Sequence, residues 1–216
     1  MKKEFLFILI SLALVSYANA ATISGNVFDD FNGDSILANE TEINATLIIF
    51  DINTFSESLI NSDENGYYKF DVKPGSYMVM QKLNANEIFT YPEFGFYHIV
   101  VNSEDETFND NNFGNFKLGK ISGYVYDLNN VPILNMQVNL SNNFTYLTDK
   151  SGYYEFTNLD PGNYGIMVQD KVINDLIINS GANLDNNFNV DYKPVIEVKE
   201  EKENGSWITG LISLFT

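Results

Sequence analysis

Cysteine and arginine are absent from the 216 residues, and histidine and tryptophan occur once each. Without cysteine, neither a disulfide nor a thiolate-bound metal can hold the chain together. Its stability has to come from apolar burial, helped at most by a hard cation on oxygen ligands. A single histidine leaves almost no acid–base chemistry. His98 lies in the alternating run FYHIVV, where an exposed or hydrogen-bonded strand histidine is the ordinary case, and no nucleophile has a base beside it. Carboxylates are so common that neighbouring pairs identify nothing, so the sequence points away from an enzyme. Basic charge is scarce: 12 lysines face 29 acidic residues, for a net charge of -17. That excess of negative charge argues against nucleic acid as a partner.

Apolar runs long enough to span a bilayer are missing as well. The run from Phe5 to Val15 follows Lys2 and Lys3 and precedes Ala18, Asn19 and Ala20 in an AxA arrangement. Residues 1–20 therefore read as a cleavable secretion signal, which would leave Ala21 as the mature N-terminus; an uncleaved anchor is the competing reading.

What is present is a duplication. DENGYYKFDVKPGSYMV (63–79) is matched by DKSGYYEFTNLDPGNYGIMV (149–168), ISGNVFD (23–29) by ISGYVYD (121–127), and NNFGNF (111–116) by DNNFNV (185–190). Start, middle and end recur in order, which predicts two domains, 21–118 and 119–191, joined closely enough to make a semi-rigid rod of two beads. Gly66 and Gly152 each end a polar run at a turn. Alternation then turns Tyr68, Phe70 and Val72 inward, with Tyr154 and Phe156 in the second copy. Pro74 with Gly75, and Pro161 with Gly162, suit the centre of a tight turn. In the first copy β-rich runs fall at 22–28, 45–51, 56–61, 67–72, 77–81, 94–101 and 106–116; no long segment has helical periodicity. The second copy lacks most of the insertion at 83–93, and its Met136, Val138 and Leu140 should face inward. The fold class is all-β: two tandem prealbumin- or immunoglobulin-like β-sandwich domains. Residues 192–206 read as an acidic disordered spacer, and 207–216 as a short apolar tail. From Trp207 to Thr216 that tail could touch a membrane surface or partner, or simply fray.

With ISGxVFDDxNGD, DxNGYYxFxxxPGxY and FGNF in this order, the first copy resembles the B-type repeats of serine-aspartate and collagen-adhesin surface proteins. The second is similar to the carboxypeptidase regulatory-like, transthyretin-like branch of the same architecture. The resemblance implies a fold, and only loosely a function, because such modules act as stalks, spacers and occasional ligand binders.

The sharpest site candidate is DDFNGDSILANETE (29–42). Asp30, Asn32 and Asp34 stand at alternate positions, like the first oxygen ligands of a calcium loop. Ser35 replaces the usual loop glycine, and Thr41 stands where a bidentate glutamate is expected. The resemblance implies calcium at Asp30, Asn32, Asp34 and Glu40, in a loop one residue shorter; an acidic solvated turn is the alternative. DLNNVP (127–132) lacks a third carboxylate, so no ion is expected there. Related adhesin modules can carry an isopeptide crosslink from lysine to asparagine or aspartate, but neither first strand offers the inward lysine it needs. Outward Tyr67 and Tyr153 could form a sugar platform, against plain cross-strand pairing. Glycosylation sequons occur at Asn39, Asn44, Asn139, Asn143 and Asn204, Asn139 being outward by alternation.

The sequence thus predicts a secreted or cell-surface structural or adhesive protein acting as stalk or spacer, whose partner is an envelope or extracellular protein or glycan. A carbohydrate-binding module, or an accessory domain of a separately encoded extracellular enzyme, are the alternatives.

Overall fold

Alternating side chains make strands throughout, and no helix forms among the described residues. These are, in a computed structural model, residues 20–193 and the backbone of two further strands at 196–201 and 207–212. The secretion-signal reading and Asn204 fall outside them. The strands of the first copy are β1 (Ala21–Asp29), β2 (Thr41–Glu42), β3 (Thr46–Asp51), β4 (Ser56–Asn61), β5 (Tyr67–Val72), β6 (Gly75–Gln81), β7 (Glu87–Tyr91), β8 (Phe96–Val101), β9 (Thr107–Phe108) and β10 (Phe113–Lys117). Those of the second are β11 (Gly119–Asp127), β12 (Gln137–Leu140), β13 (Thr145–Leu147), β14 (Tyr153–Leu159), β15 (Gly162–Val168), β16 (Lys171–Ile178), β17 (Asn183–Asp185) and β18 (Phe188–Val190).

The chain divides into two compact units. One takes in β1 to Asp29, Ser35–Asn84 and Phe89–Asn115; the other takes in Asp30–Asp34, Ala85–Ile88 and the chain from Phe116 onward. In the first unit one sheet runs β2-β1-β10-β7, with β5 and β9 also on β1, and the other runs β4-β3-β6-β8. Ile23, Val27, Tyr68 and Phe113 from one sheet meet Leu47, Ile49, Tyr77, Val79, Ile99 and Val101 from the other in a single buried core. The second unit repeats the plan: β14-β11-β17, with β18 on β11, faces β13-β12-β15-β16. Its core gathers Ile121, Val125, Tyr154 and Phe188 against Val138, Leu140, Ile166 and Val168. Met136, Val138 and Leu140 are buried as alternation requires, and so are Tyr68, Tyr154 and Phe156.

In both units the first strand pairs antiparallel with the repeated GYY strand and parallel with the last ones. β1 runs antiparallel to β5 and parallel to β9 and β10; β11 runs antiparallel to β14 and parallel to β17 and β18. The break between the two parallel strands is where the repeated Asn-Asn-Phe sits. Tyr68 Oη donates to Asn111 O at 2.5 Å, and Tyr154 Oη to Asn186 O at 2.5 Å. The amides of the same asparagines donate to Ser24 O at 3.1 Å and Ser122 O at 2.8 Å. The next side chains, Asn112 and Asn187, accept from the Asn26 and Tyr124 N–H groups through Oδ1, both at 2.8 Å. All of this brings backbone directly over a glycine. A Cβ on Gly25 would lie 2.3 Å from Asn111 O, and one on Gly123 1.8 Å from Asn186 O.

Three sequence expectations need correction. The insertion at 83–93 carries a strand of its own, β7, whose five residues are too few to show a period. The run at 106–116 is two strands, β9 and β10, parted by the asparagine turn. Pro74-Gly75 and Pro161-Gly162 do not centre tight turns: β6 and β15 already begin at Gly75 and Gly162. In addition, where an acidic disordered spacer is expected, the backbone pairs β19 (Ile196–Glu201) antiparallel with β20 (Trp207–Ile212). Ile196, Val198, Trp207 and Ile208 have strong strand preference, which the surrounding charge conceals.

Tyr154→Phe and Tyr68→Phe should each cost about 1–2 kcal/mol, the cost of leaving a buried carbonyl short of its donor. Gly123→Ala should cost more than either, because backbone rather than a side-chain tip occupies the space. Urea unfolding of the variants checks this; a Tyr154→Phe protein as stable as the parent would remove the claim.

Candidate metal centre and surface sites

A five-residue turn recurs in the chain, and the candidate centre is built on one copy of it. Asp63 Oδ1 accepts the N–H groups of Asn65 and Tyr67, both at 2.9 Å, while Gly66, at φ 69, donates back to Asp63 O at 3.1 Å. Asp149 does the same for Ser151 and Tyr153 at 2.8 and 2.9 Å, and Asp127 for Asn129 and Val131, both at 2.8 Å. The left-handed position falls to Gly152 at φ 77 and to Asn130 at φ 63, residue types that tolerate it. The first loop follows the same rule: Asp30 Oδ1 accepts Asp34 N–H at 3.0 Å, and Gly33 has φ 73. Sequence reading picked out Gly66 and Gly152 but missed the role of Asp63 and Asp149 three residues earlier; the signal was D-x-[NS]-G, with D-x-N-N at Asp127.

In the first loop the turn brings Asp30, Asp34 and Glu40 together, with ligand oxygens all within 4.8 Å of one another. Asp30 is fully buried, Glu40 half-buried and Asp34 exposed. This is the one such acidic group among the described residues, and it could hold a metal ion. Asn32, the fourth expected ligand, has its amide committed locally: Oδ1 accepts Asp34 N–H at 3.0 Å, and Nδ2 donates to Asp34 Oδ2 at 2.8 Å. Ser35 sits at φ 66, so the residue that replaces the usual glycine does adopt the conformation that favours glycine. Its hydroxyl donates to Thr90 O at 2.8 Å.

His98 is exposed, and its Nε2 lies 2.8 Å from Ser76 Oγ across β6 and β8. Tyr67 is 43% exposed. Tyr153 is half-buried, its ring 5.3 Å from that of Tyr124 across the strand pair, and its hydroxyl donates to Glu155 Oε2 at 3.0 Å. Tyr124 in turn stacks on Tyr126 at 5.9 Å. Of the sequons, Asn39, Asn44 and Asn143 are exposed and Asn139 is half-buried. Asn44 Nδ2 donates to Ser62 O, and Asn139 Oδ1 accepts from Gln137 and Thr145 at 2.8 and 3.0 Å. No helix of the described residues is long and apolar enough to cross a membrane.

Residues 120–176 match the carboxypeptidase regulatory-like domain. The match covers β11 to β15 and most of β16, the greater part of the second sandwich. Among solved structures the chain is similar to the Bacillus anthracis TIE protein at 14% identity and TM-score 0.41, covering 78% of this chain and 33% of that one. It is also similar to a streptococcal ancillary pilin at 10% identity and TM-score 0.41, over 80% of this chain and 63% of that one. A third is the minor pilin GBS52 of Streptococcus agalactiae, at 11% identity and TM-score 0.38, over 83% and 99%. The chain thus spans a third and somewhat under two thirds of the first two. A search of curated proteins returns no match.

The Asp149 turn carries a pH dependence. The Ser151 hydroxyl, followed by the Tyr153 N–H, holds the Asp149 carboxyl below the ordinary aspartate range. Its contribution is therefore complete above the unfolded value of about 3.9 and is lost as pH falls through the lower folded value. Asp149→Asn keeps an acceptor but cannot titrate, so the gap in melting temperature between parent and variant should shrink below about pH 4. Parallel melting curves from pH 7 to pH 2.5 would contradict this.

Proposed function

We propose that the protein is secreted or displayed at the cell surface, has no catalytic activity, and works as a stalk or spacer with an adhesive role. The observation that carries this reading is that each sandwich closes on its own aromatic core by the same tyrosine–asparagine contact. The histidine is hydrogen-bonded to a serine on an exposed strand face, an arrangement that is not a catalytic set. The first unit, on this reading, is a B-type adhesin module. Its partner is an envelope or extracellular protein or glycan, not nucleic acid, with peripheral membrane contact through Trp207 to Thr216.

The loop at 30–40 then holds calcium through Asp30, Asn32, Asp34 and Glu40. Three carboxylates with oxygens within 4.8 Å of one another favour a bound divalent ion, because like charges that close repel unless a cation lies between them. Asn32 joins the ligands by releasing Asp34 N–H. Affinity should be weak, about 0.1–1 mM, as suits extracellular modules. The second reading, a carbohydrate-binding module, is favoured by the Tyr124, Tyr126 and Tyr153 rings, which offer stacked aromatic surface on one sheet.

Melting in calcium against chelator tests the ion. A hundredfold excess over the dissociation constant should add about 2.7 kcal/mol, and Asp34→Ala should abolish the gain; coincident curves would remove the site. Pull-down from native envelope, with and without calcium, tests the adhesive role. Glycan binding lost on Tyr153→Ala would favour the second reading.

A further inference from the structure

The first sandwich is apolar through its middle and becomes polar where β3 begins and β6 ends. There Asn44, Thr46, Gln81, Lys82, Asn84 and Asn115 line a cavity of about 230 Å³. Asn115 is 2% exposed and Gln81 4%. Neither Oδ1 nor Nδ2 of Asn115 has a hydrogen-bond partner, and Gln81 Oε1 has none. Other polar groups of the wall are already engaged: Asn44 Nδ2 donates to Ser62 O, and Thr46 Oγ1 to Asn61 Oδ1 at 2.9 Å. Buried amide groups are rarely left unpaired, because an unmet donor or acceptor away from water is destabilising. Two amides with unmet atoms in the wall of one small cavity therefore call for a common explanation.

We propose that this cavity binds one sugar residue, a hydroxyl-rich ring of monosaccharide size. The unmet groups are one donor, the Asn115 amide nitrogen, and two acceptors, Asn115 Oδ1 and Gln81 Oε1. A hydroxyl both donates and accepts, so neighbouring ring hydroxyls can satisfy all three. A carboxylate could pair with Lys82 and use the one unmet donor, but it would leave both unmet acceptors unpaired. The volume is below the roughly 300 Å³ at which drug-sized pockets begin, so it seats one ring rather than several. The unmet atoms have almost no accessible surface, so seating the ring requires both Asn115 and Gln81 to turn about their side-chain torsions. This site is separate from Tyr67 and from the Tyr153 surface, and it goes beyond the spacer reading, which does not require it.

The experiment is amide NMR of the full two-unit chain titrated into the millimolar range with glucose, galactose, mannose and N-acetylglucosamine in turn. The expected result is saturable shifts at the Asn115, Asn44 and Asn84 side-chain amides with at least one sugar. Those shifts should weaken tenfold or more in Asn115→Leu and stay unchanged in Tyr67→Ala. Asn115→Leu removes an unpaired amide, so its melting temperature should not fall; if it fails to fold, Gln81→Met supplies the same comparison. No saturable shift with any of the four sugars would show a cavity filled by solvent only and overturn the proposal. Shifts of parental affinity in both variants would overturn it equally.

Discussion

Each sandwich depends on a tyrosine hydroxyl held against the backbone carbonyl of an asparagine that crosses the face of a glycine. The contact ties three separate parts of a unit together: the first strand through Gly25 or Gly123, the central hairpin strand through Tyr68 or Tyr154, and the closing segment through Asn111 or Asn186. Burial in the core pushes both phenols well above their ordinary range, so each hydroxyl stays a donor at any pH at which the fold survives. Because the side chain of glycine is absent, the carbonyl can approach closely enough for the tyrosine to reach it. All three repeated motifs supply a part of this contact.

Most of this was legible in the sequence, for reasons that can be traced to particular residues. A half-buried strand records its inward face every second residue, so Tyr68, Tyr154, Val138 and Leu140 could be placed from the sequence alone. The breaks were harder to see. Strand β7 is short and lacks a strict alternation, and the split between β9 and β10 depends on a contact with β1 more than eighty residues away, which no local period encodes. The recurrent Asn-Asn-Phe was visible as a repeat, but its meaning needed the partner strand.

The acidic loop was legible in part. Alternate spacing pointed to Asp30 and Asp34, whose carboxylates lie near each other and near that of Glu40. Asn32 has the right spacing, yet its amide oxygen serves the turn, because a short polar side chain two residues after an aspartate competes for the same backbone N–H groups. Asp63, Asp127 and Asp149 pin turns of the same kind, and among the described residues none of them belongs to a group of three acidic side chains. Asn115 and Gln81 gave no signal at all: amides are common in this chain, and only three-dimensional placement shows which of them lack partners.

The parallel pairing of β1 with β10, and of β11 with β18, has a mechanical consequence. In a parallel pair the leading end of one strand and the trailing end of the other lie at opposite extremes of the ladder. Tension applied along the chain would therefore load all the rungs together in shear rather than peel them open one after another. The last strand to be added to each unit is the one that resists extension.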